Sequence, residues 1–106
     1  MHQKGSITIA ICTRDNPGYI KKLVKDLKNQ SDKDFNLIIQ NNGSEIDLDL
    51  SGLNNATSIN DKCLGLSESR NLCVKSCQTD YIHFLDDDLT IKKDFIICLK
   101  SFISQN

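Results

Sequence analysis

Ser6 to Cys12 reads Ser-Ile-Thr-Ile-Ala-Ile-Cys, a short β-branched run with alternating character. Such a run predicts a first strand. Thr13-Arg14-Asp15-Asn16-Pro17-Gly18 breaks it, and Asn16 before Pro17 reads as a helix N-cap with proline at the first helical position. Ile20, Leu23, Val24 and Leu27 then recur at helical spacing with lysines on the other face, predicting a helix from Pro17 to Asn29. Phe35 to Gln40 predicts a second strand, stopped by the turn signal Asn41-Asn42-Gly43-Ser44. Glu45 to Asn55 is polar and weakly patterned, which predicts loop with at most a helical turn. Ala56 to Ile59 predicts a short third strand. Leu66, Ser69, Leu72, Cys73, Ser76 and Cys77 fit one face of a helix, with small residues interleaved. Tyr81 to Leu85 predicts a fourth strand that runs into three aspartates, and Phe95, Leu99, Phe102 and Ile103 mark a last amphipathic helix.

The order is strand, helix, strand, loop, strand, helix, strand, helix. It predicts an α/β domain: a doubly wound, mainly parallel sheet of about four strands with helices on both faces. Ligands of such sheets bind outside the carboxyl ends of the strands, near the point where strand order reverses. Arg14-Asp15, Asn41-Asn42 and Asp86-Asp87-Asp88 all fall just past a predicted strand end, so they are expected to converge on one rim.

Composition narrows the partners. The 106 residues suit one small domain, and 39% apolar with 25% charged residues is an ordinary globular profile. Thirteen basic side chains against fourteen acidic ones leave a net charge of -1, which excludes a basic footprint for nucleic acid or an anionic membrane. No apolar run approaches the roughly 20 residues of a membrane helix. Met1-His2-Gln3-Lys4-Gly5 has no apolar leader pattern, so the expected compartment is cytoplasmic, with membrane association left to a tether outside these residues. The five cysteines, Cys12, Cys63, Cys73, Cys77 and Cys98, are odd in number and mostly lie in apolar segments. They are expected to be reduced, buried thiols acting as small hydrophobes. Cys73 and Cys77 are one helical turn apart, but with no second Cys/His pair at ligand spacing a zinc site is not expected.

Three adjacent carboxylates at a strand end repel one another and are partly desolvated, a costly arrangement without a cation. A hard divalent ion such as Mn2+ or Mg2+ would offset the repulsion in an open site completed by water and a diphosphate. The plainer alternative is an acidic solvated turn, with Asp88 or Thr90 capping the next helix. Asn41 and Asn42 offer amides for a base edge or ribose, or simply make a turn. Arg70, early in the second helix, suits phosphates through its planar fork, or pairs at the surface with Glu68 or Asp61. Thr13 and Asp15 could touch base or ribose, and Asp15 could equally satisfy amides of its own loop. His83 reads as a core or half-buried strand residue.

In combination, Ile-Ala-Ile-Cys-Thr-Arg-Asp-Asn-Pro at 9–17, Asn-Asn-Gly-Ser at 41–44, Gly-Leu-Ser-Glu-Ser-Arg-Asn at 65–71 and Phe-Leu-Asp-Asp-Asp at 84–88 come in a set order. They resemble the N-terminal half of family 2 glycosyltransferases, inverting enzymes with a GT-A fold, from about Ser6 to Phe102. The resemblance implies a single nucleotide-sugar-binding domain over 1–106, cut before the acceptor-binding half. It implies that Thr13, Arg14, Asp15, Asn41, Asn42, Arg70, Asp86 and Asp87 line the nucleotide. Asp86 and Asp88 match the outer residues of the DxD motif, Asp88 being the expected direct ligand of Mn2+ or Mg2+. The implied partners are a nucleotide-diphosphate sugar, a UDP-sugar first, and a glycan, lipid or other hydroxyl acceptor. The implied activity is hexosyl transfer, with the general base in the missing half; Asp94 is expected on the solvated face of the last helix. Asn41 departs from the family's usual aspartate, which leaves room for a different base. Two rivals stand beside this reading. One is a non-catalytic binding or assembly remnant, whose incomplete sheet would favour self-association. The other is an aspartate-phosphorylated receiver domain, which needs paired acids after its first strand and an acceptor aspartate after a central one.

Overall fold

A computed structural model of the chain describes residues 6–61 and 65–105, so Cys63 and the Met1–Gly5 stretch lie outside the described residues. The elements are β1 (Ile7–Thr13), α1 (Pro17–Lys28), β2 (Asn36–Asn41), β3 (Ala56–Asn60), α2 (Leu66–Ser76), β4 (Tyr81–Asp86) and α3 (Phe95–Ser104). The strands form one sheet in the order β3-β2-β1-β4, with every pairing parallel. β1 is central because it carries the densest apolar run, and its residues from Ile7 to Ile11 are all buried. Chain order reverses beside β1: the path leaves it toward β2 and β3, then returns over α2 to β4 on its other side. That reversal marks where a doubly wound sheet opens a crevice at its C-terminal rim.

Side-chain alternation divides the core between two faces. Ile7, Ile9 and Ile11 of β1, Leu37 and Ile39 of β2, and Leu85 of β4 meet Ile20, Leu23, Val24 and Leu27 of α1 and Ile96 of α3. Ala10 and Ile38 point the other way and meet Cys73 of α2, with Cys12, Ile59, Ile82 and Phe84 packed around them. The helices therefore cover both faces, as the element order predicts.

Several local expectations change. The 45–55 stretch forms no helical turn; instead Ile46, Leu48, Leu50 and Leu53 pack on the α1 face of the core. Leu66 is 61% exposed rather than core-facing, because only Ser69 and Cys73 of α2 are buried against the sheet. Cys77 is the C-cap of α2, not part of its buried stripe, and Cys98 is exposed rather than buried. Asp94 is the N-cap position of α3 rather than a residue within it. Neither Asp88 nor Thr90 caps that helix, which begins later, at Phe95. No helix among the described residues is long and apolar enough to cross a membrane.

The segment between β4 and α3 is fixed by polar side chains of α1 and by Gln30 just past its end. Lys22 donates to Thr90 Oγ1 at 2.8 Å, Asp26 Oδ2 accepts from the Ile91 N–H at 3.2 Å, and Gln30 Nε2 donates to the Lys92 carbonyl at 2.7 Å. Residues four apart share a helix face, so Lys22 and Asp26 stand in register on α1, and Gln30, two residues past its end, continues the row along the connection that leaves the acidic turn.

Candidate nucleotide-binding rim

The C-terminal ends of β1, β2 and β4 come together, because parallel register sets Thr13 beside Asn41 and Cys12 beside Asp86. Asp87 is the first residue past β4, and the Thr13 hydroxyl donates to its Oδ2 at 2.8 Å. Asn16 Nδ2 donates to the same oxygen at 3.1 Å. Asn16 thus holds the N-cap position of α1, but its side chain makes no cap bond and reaches the turn after β4 instead. The middle carboxylate is relieved locally by two donors, while Asp86 and Asp88 are exposed on the turn closed by the Leu89 N–H on the Asp86 carbonyl at 3.3 Å. Replacing Asp87 with alanine removes both bonds, and the part-buried geometry predicts a loss of about 1 kcal/mol in a denaturant melt. An unchanged midpoint would show that these bonds contribute nothing net.

Asp15 turns the β1–α1 loop with φ 54°, a left-handed conformation that aspartate tolerates better than most residues. Its Oδ1 accepts the Ser44 N–H at 2.8 Å, and the Asn42 N–H donates to the Thr13 carbonyl at 2.9 Å, so the β1 and β2 loops are laced together. Gly43 is required at this crossing: an added Cβ would lie 2.5 Å from Asp15 Oδ1 and 2.8 Å from the Asp15 backbone nitrogen. Asn41 works inside its own turn. Its Nδ2 donates to the Ser44 carbonyl at 2.9 Å and to Asn60 Oδ1 at 3.2 Å, and its Oδ1 accepts from the Gly43 N–H at 3.2 Å.

A cavity of about 290 Å³ opens on the rim, lined by Cys12, Thr13, Arg14, Asn42, Gly65, Leu66 and Ser69. Glu68 accepts the Gly65 N–H at 3.3 Å, so it fastens the start of α2 rather than pairing with Arg70. The Arg70 guanidinium instead lies over the Phe84 ring, 5.6 Å from its centroid. Phe84 and Asp86 share the α2 face of β4 by strand alternation, which puts Arg70 and Asp86 on the same side of the sheet. His83 is half-buried, and its ring meets that of Phe95 at 5.8 Å.

Among the described residues no cluster of three or more His, Cys, Asp or Glu side chains is arranged to hold a metal ion. With Asp87 engaged by Thr13 and Asn16, the hard donors left at the rim are the exposed Asp86 and Asp88. Two carboxylates suit a divalent cation only as an open site whose other ligands come from a diphosphate and water. The rim brings together Thr13, Arg14, Asp15, Asn41, Asn42 and Asp87 through direct bonds or shared walls, with Arg70 on Phe84 beside them. Sequence reasoning missed the use of Asn16, Gly43 and Asn60, and the part that Cys12, Leu66 and Ser69 take in the wall. Of these only Gly43 left a signal, as the one residue of its turn without a side chain.

Comparison with known proteins follows the same outline. A model of the family described as "Glycosyl transferase family 2" matches residues 8–106. The solved structure of S. aureus TarS 1-349 superposes with a TM-score of 0.75 at 20% identity, over 94% of this chain and 32% of that one. TarS 1-349 in complex with UDP-GlcNAc gives 0.76 at 20% identity, over 94% and 31%. TarS 1-349 in complex with UDP gives 0.75 at 20% identity, over 94% and 32%. At that identity the likeness is one of fold: an α/β, GT-A-like half domain. The chain spans about a third of the length of those structures. No curated protein matches the sequence.

Proposed function

Because this chain belongs to glycosyl transferase family 2, we propose that it binds the nucleotide-diphosphate sugar of an inverting hexosyl transfer, a UDP-sugar first. The observation that carries this reading is the convergence on one rim of the four motif segments, three of which wall a cavity at the ends of β1 and β2 and the start of α2. The TarS complexes with UDP-GlcNAc and UDP, of the same fold, support it.

In this reading Thr13, Arg14, Asp15, Asn41 and Asn42 form the nucleoside side of the cleft. Asn41 acts by holding its turn, given the bonds its amide already makes. Asp87 stiffens the β1 loop through Thr13 and Asn16. Arg70, steadied on Phe84, faces the diphosphate and neutralises charge that develops as the nucleoside diphosphate departs. A divalent cation, Mn2+ or Mg2+, would be held by Asp88 and Asp86 and would supply further neutralisation of those phosphates. A carboxylate from an acceptor-binding half deprotonates the glycan, lipid or other hydroxyl acceptor, which attacks opposite the leaving group. The segment alone therefore binds donor and turns over poorly, and its place is the cytoplasm, where a tethered full-length protein could meet a membrane acceptor.

Calorimetry with UDP and Mn2+ tests this. Asp88→Ala is expected to weaken binding about tenfold, near 1.4 kcal/mol; equal binding by both proteins would remove Asp88 from the site. A receiver-domain reading is disfavoured because the acid cluster follows β4, at the end of the strand order, rather than a central strand. Self-association keeps one observation in its favour: Ile97 and Phe102 of α3 are 47% and 66% exposed. Light scattering after size exclusion checks it, and a monomer at high concentration would dismiss it.

A further inference from the structure

The wall of the rim cavity carries a thiol with a second thiol directly behind it. Cys12, half-buried, ends the α2 face of β1 and lines the cavity. Cys73, fully buried in α2, sits with its sulfur 4.0 Å from that of Cys12. From this geometry we infer that Cys12 and Cys73 form an oxidisable pair that hydroperoxides convert to a disulfide, with Cys12 attacking and Cys73 resolving.

The two members are unequal. Cys12 opens into the cavity, where a peroxide can reach it, and its other side is in contact with the Cys73 sulfur. The same contact with Cys12, and burial, push the Cys73 thiol up. The accessible member is Cys12 and the member closed in behind it is Cys73, the arrangement of an attacking and a resolving thiol. A thiolate that meets peroxide beside a resolving thiol proceeds through sulfenic acid to a disulfide. Cys12 sulfur attacks a peroxide oxygen; the S–O bond forms, the O–O bond breaks, and an alcohol or water leaves with a proton. Cys73 sulfur then attacks the Cys12 sulfur; the S–S bond forms, the S–O bond breaks, and hydroxide leaves as water with the Cys73 proton. The two sulfurs give up two electrons and the peroxide takes them. Closing from the observed separation to the ~2.05 Å of a disulfide needs rotation of both side chains toward each other. Cys77 is directed elsewhere: its sulfur lies against Thr8 Oγ1 at 3.5 Å and Thr79 Oγ1 at 3.3 Å.

The test is limited treatment of the folded, reduced chain with hydrogen peroxide, followed by non-reducing peptide mapping. The expected result is loss of two free thiols, a crosslinked peptide pair joining Cys12 to Cys73, and full reversal by dithiothreitol. A crosslink to any other cysteine, or sulfinic acid accumulating on Cys12 with no crosslink, would overturn the inference. Cys73→Ala is expected to stop at sulfenic or higher acids on Cys12, captured by dimedone. Because that buried substitution can disturb folding, Cys12→Ser is the second variant. It is expected to leave Cys73 unmodified under the same dose, and oxidation of Cys73 in it at the wild-type rate would reject the attacking role of Cys12. These readouts follow the thiols alone, so their failure is separable from a failure of the donor-site reading.

Discussion

Gln30→Leu is expected to cost the domain about 3 kcal/mol, the largest loss predicted here for any single side chain. Gln30 is 2% exposed just past the end of α1, and its amide is fully used. Nε2 donates to the Lys92 carbonyl at 2.7 Å and to the Asp26 carbonyl at 3.2 Å, and Oε1 accepts the Ile96 N–H at 3.0 Å. Ile96 is in the first turn of α3, where backbone N–H groups have no partner within the helix. Asp94, at the N-cap, makes no side-chain cap bond, so Gln30 supplies the missing acceptor from across the fold. Leucine has nearly the same volume but leaves the buried Ile96 N–H unpaired, at about 1–3 kcal/mol, and removes one of the two donors on the Lys92 carbonyl, which keeps the Phe95 N–H at 3.1 Å. Against a total stability of roughly 5–15 kcal/mol, this should lower the melting temperature by about 10 °C or more in a circular dichroism scan. A shift under about 4 °C would mean that water replaces Gln30 at the Ile96 N–H without penalty. Because Lys22, Asp26 and Gln30 hold one connection, the same variant should also loosen the acidic turn upstream of it.

Gln30 shows where sequence reading stops. One polar residue after an apolar helix is unremarkable, and its partner lies 66 positions away. The strands and α1 were legible because buried faces impose periods of two and 3.6 on a chain, and those periods survive without knowledge of partners. Strand ends were misjudged by a residue for the same reason. Thr13, Asn41 and Asp86 are polar, yet they belong to strands because a neighbouring backbone pairs with them. α2 was legible as a helix but not in its orientation: the sheet face beneath it takes only Ser69 and Cys73, too few positions to write a stripe. The rim residues were legible as a set because strand ends in a parallel sheet must share one edge. What each side chain does there was not. Asn16 was read as a cap and bonds Asp87; Asn41 was read either toward a base or as part of a turn, and it bonds its own turn. In both cases a long-range or turn-closing partner competes with the local role, and sequence does not record which one is nearer.

Gly43→Ala is the second large effect expected, of about 2 kcal/mol, and under the donor-site proposal it also removes most UDP binding. The methyl group would come within 2.5 Å of Asp15 Oδ1, 2.8 Å of the Asp15 nitrogen and 2.9 Å of its Cγ. A flexible side-chain tip could retreat, but the nitrogen belongs to backbone already in the left-handed region at φ 54°. Moving it surrenders the Asp15–Ser44 bond that laces the two loops, and overpacking of this kind costs about 1–3 kcal/mol. Thr13, Arg14 and Asn42, which wall the cavity, flank this crossing, so the damage falls on the cleft more than on the core. Gly18→Ala is the internal control. Gly18 lies in the first turn of α1 with nothing within 4 Å of an added Cβ, so alanine there should raise stability by about 0.5–1 kcal/mol through its helix preference. Opposite signs at the two glycines, read in the same denaturant titration, would tie the loss to the Asp15 crossing. Equal signs would detach it from that contact.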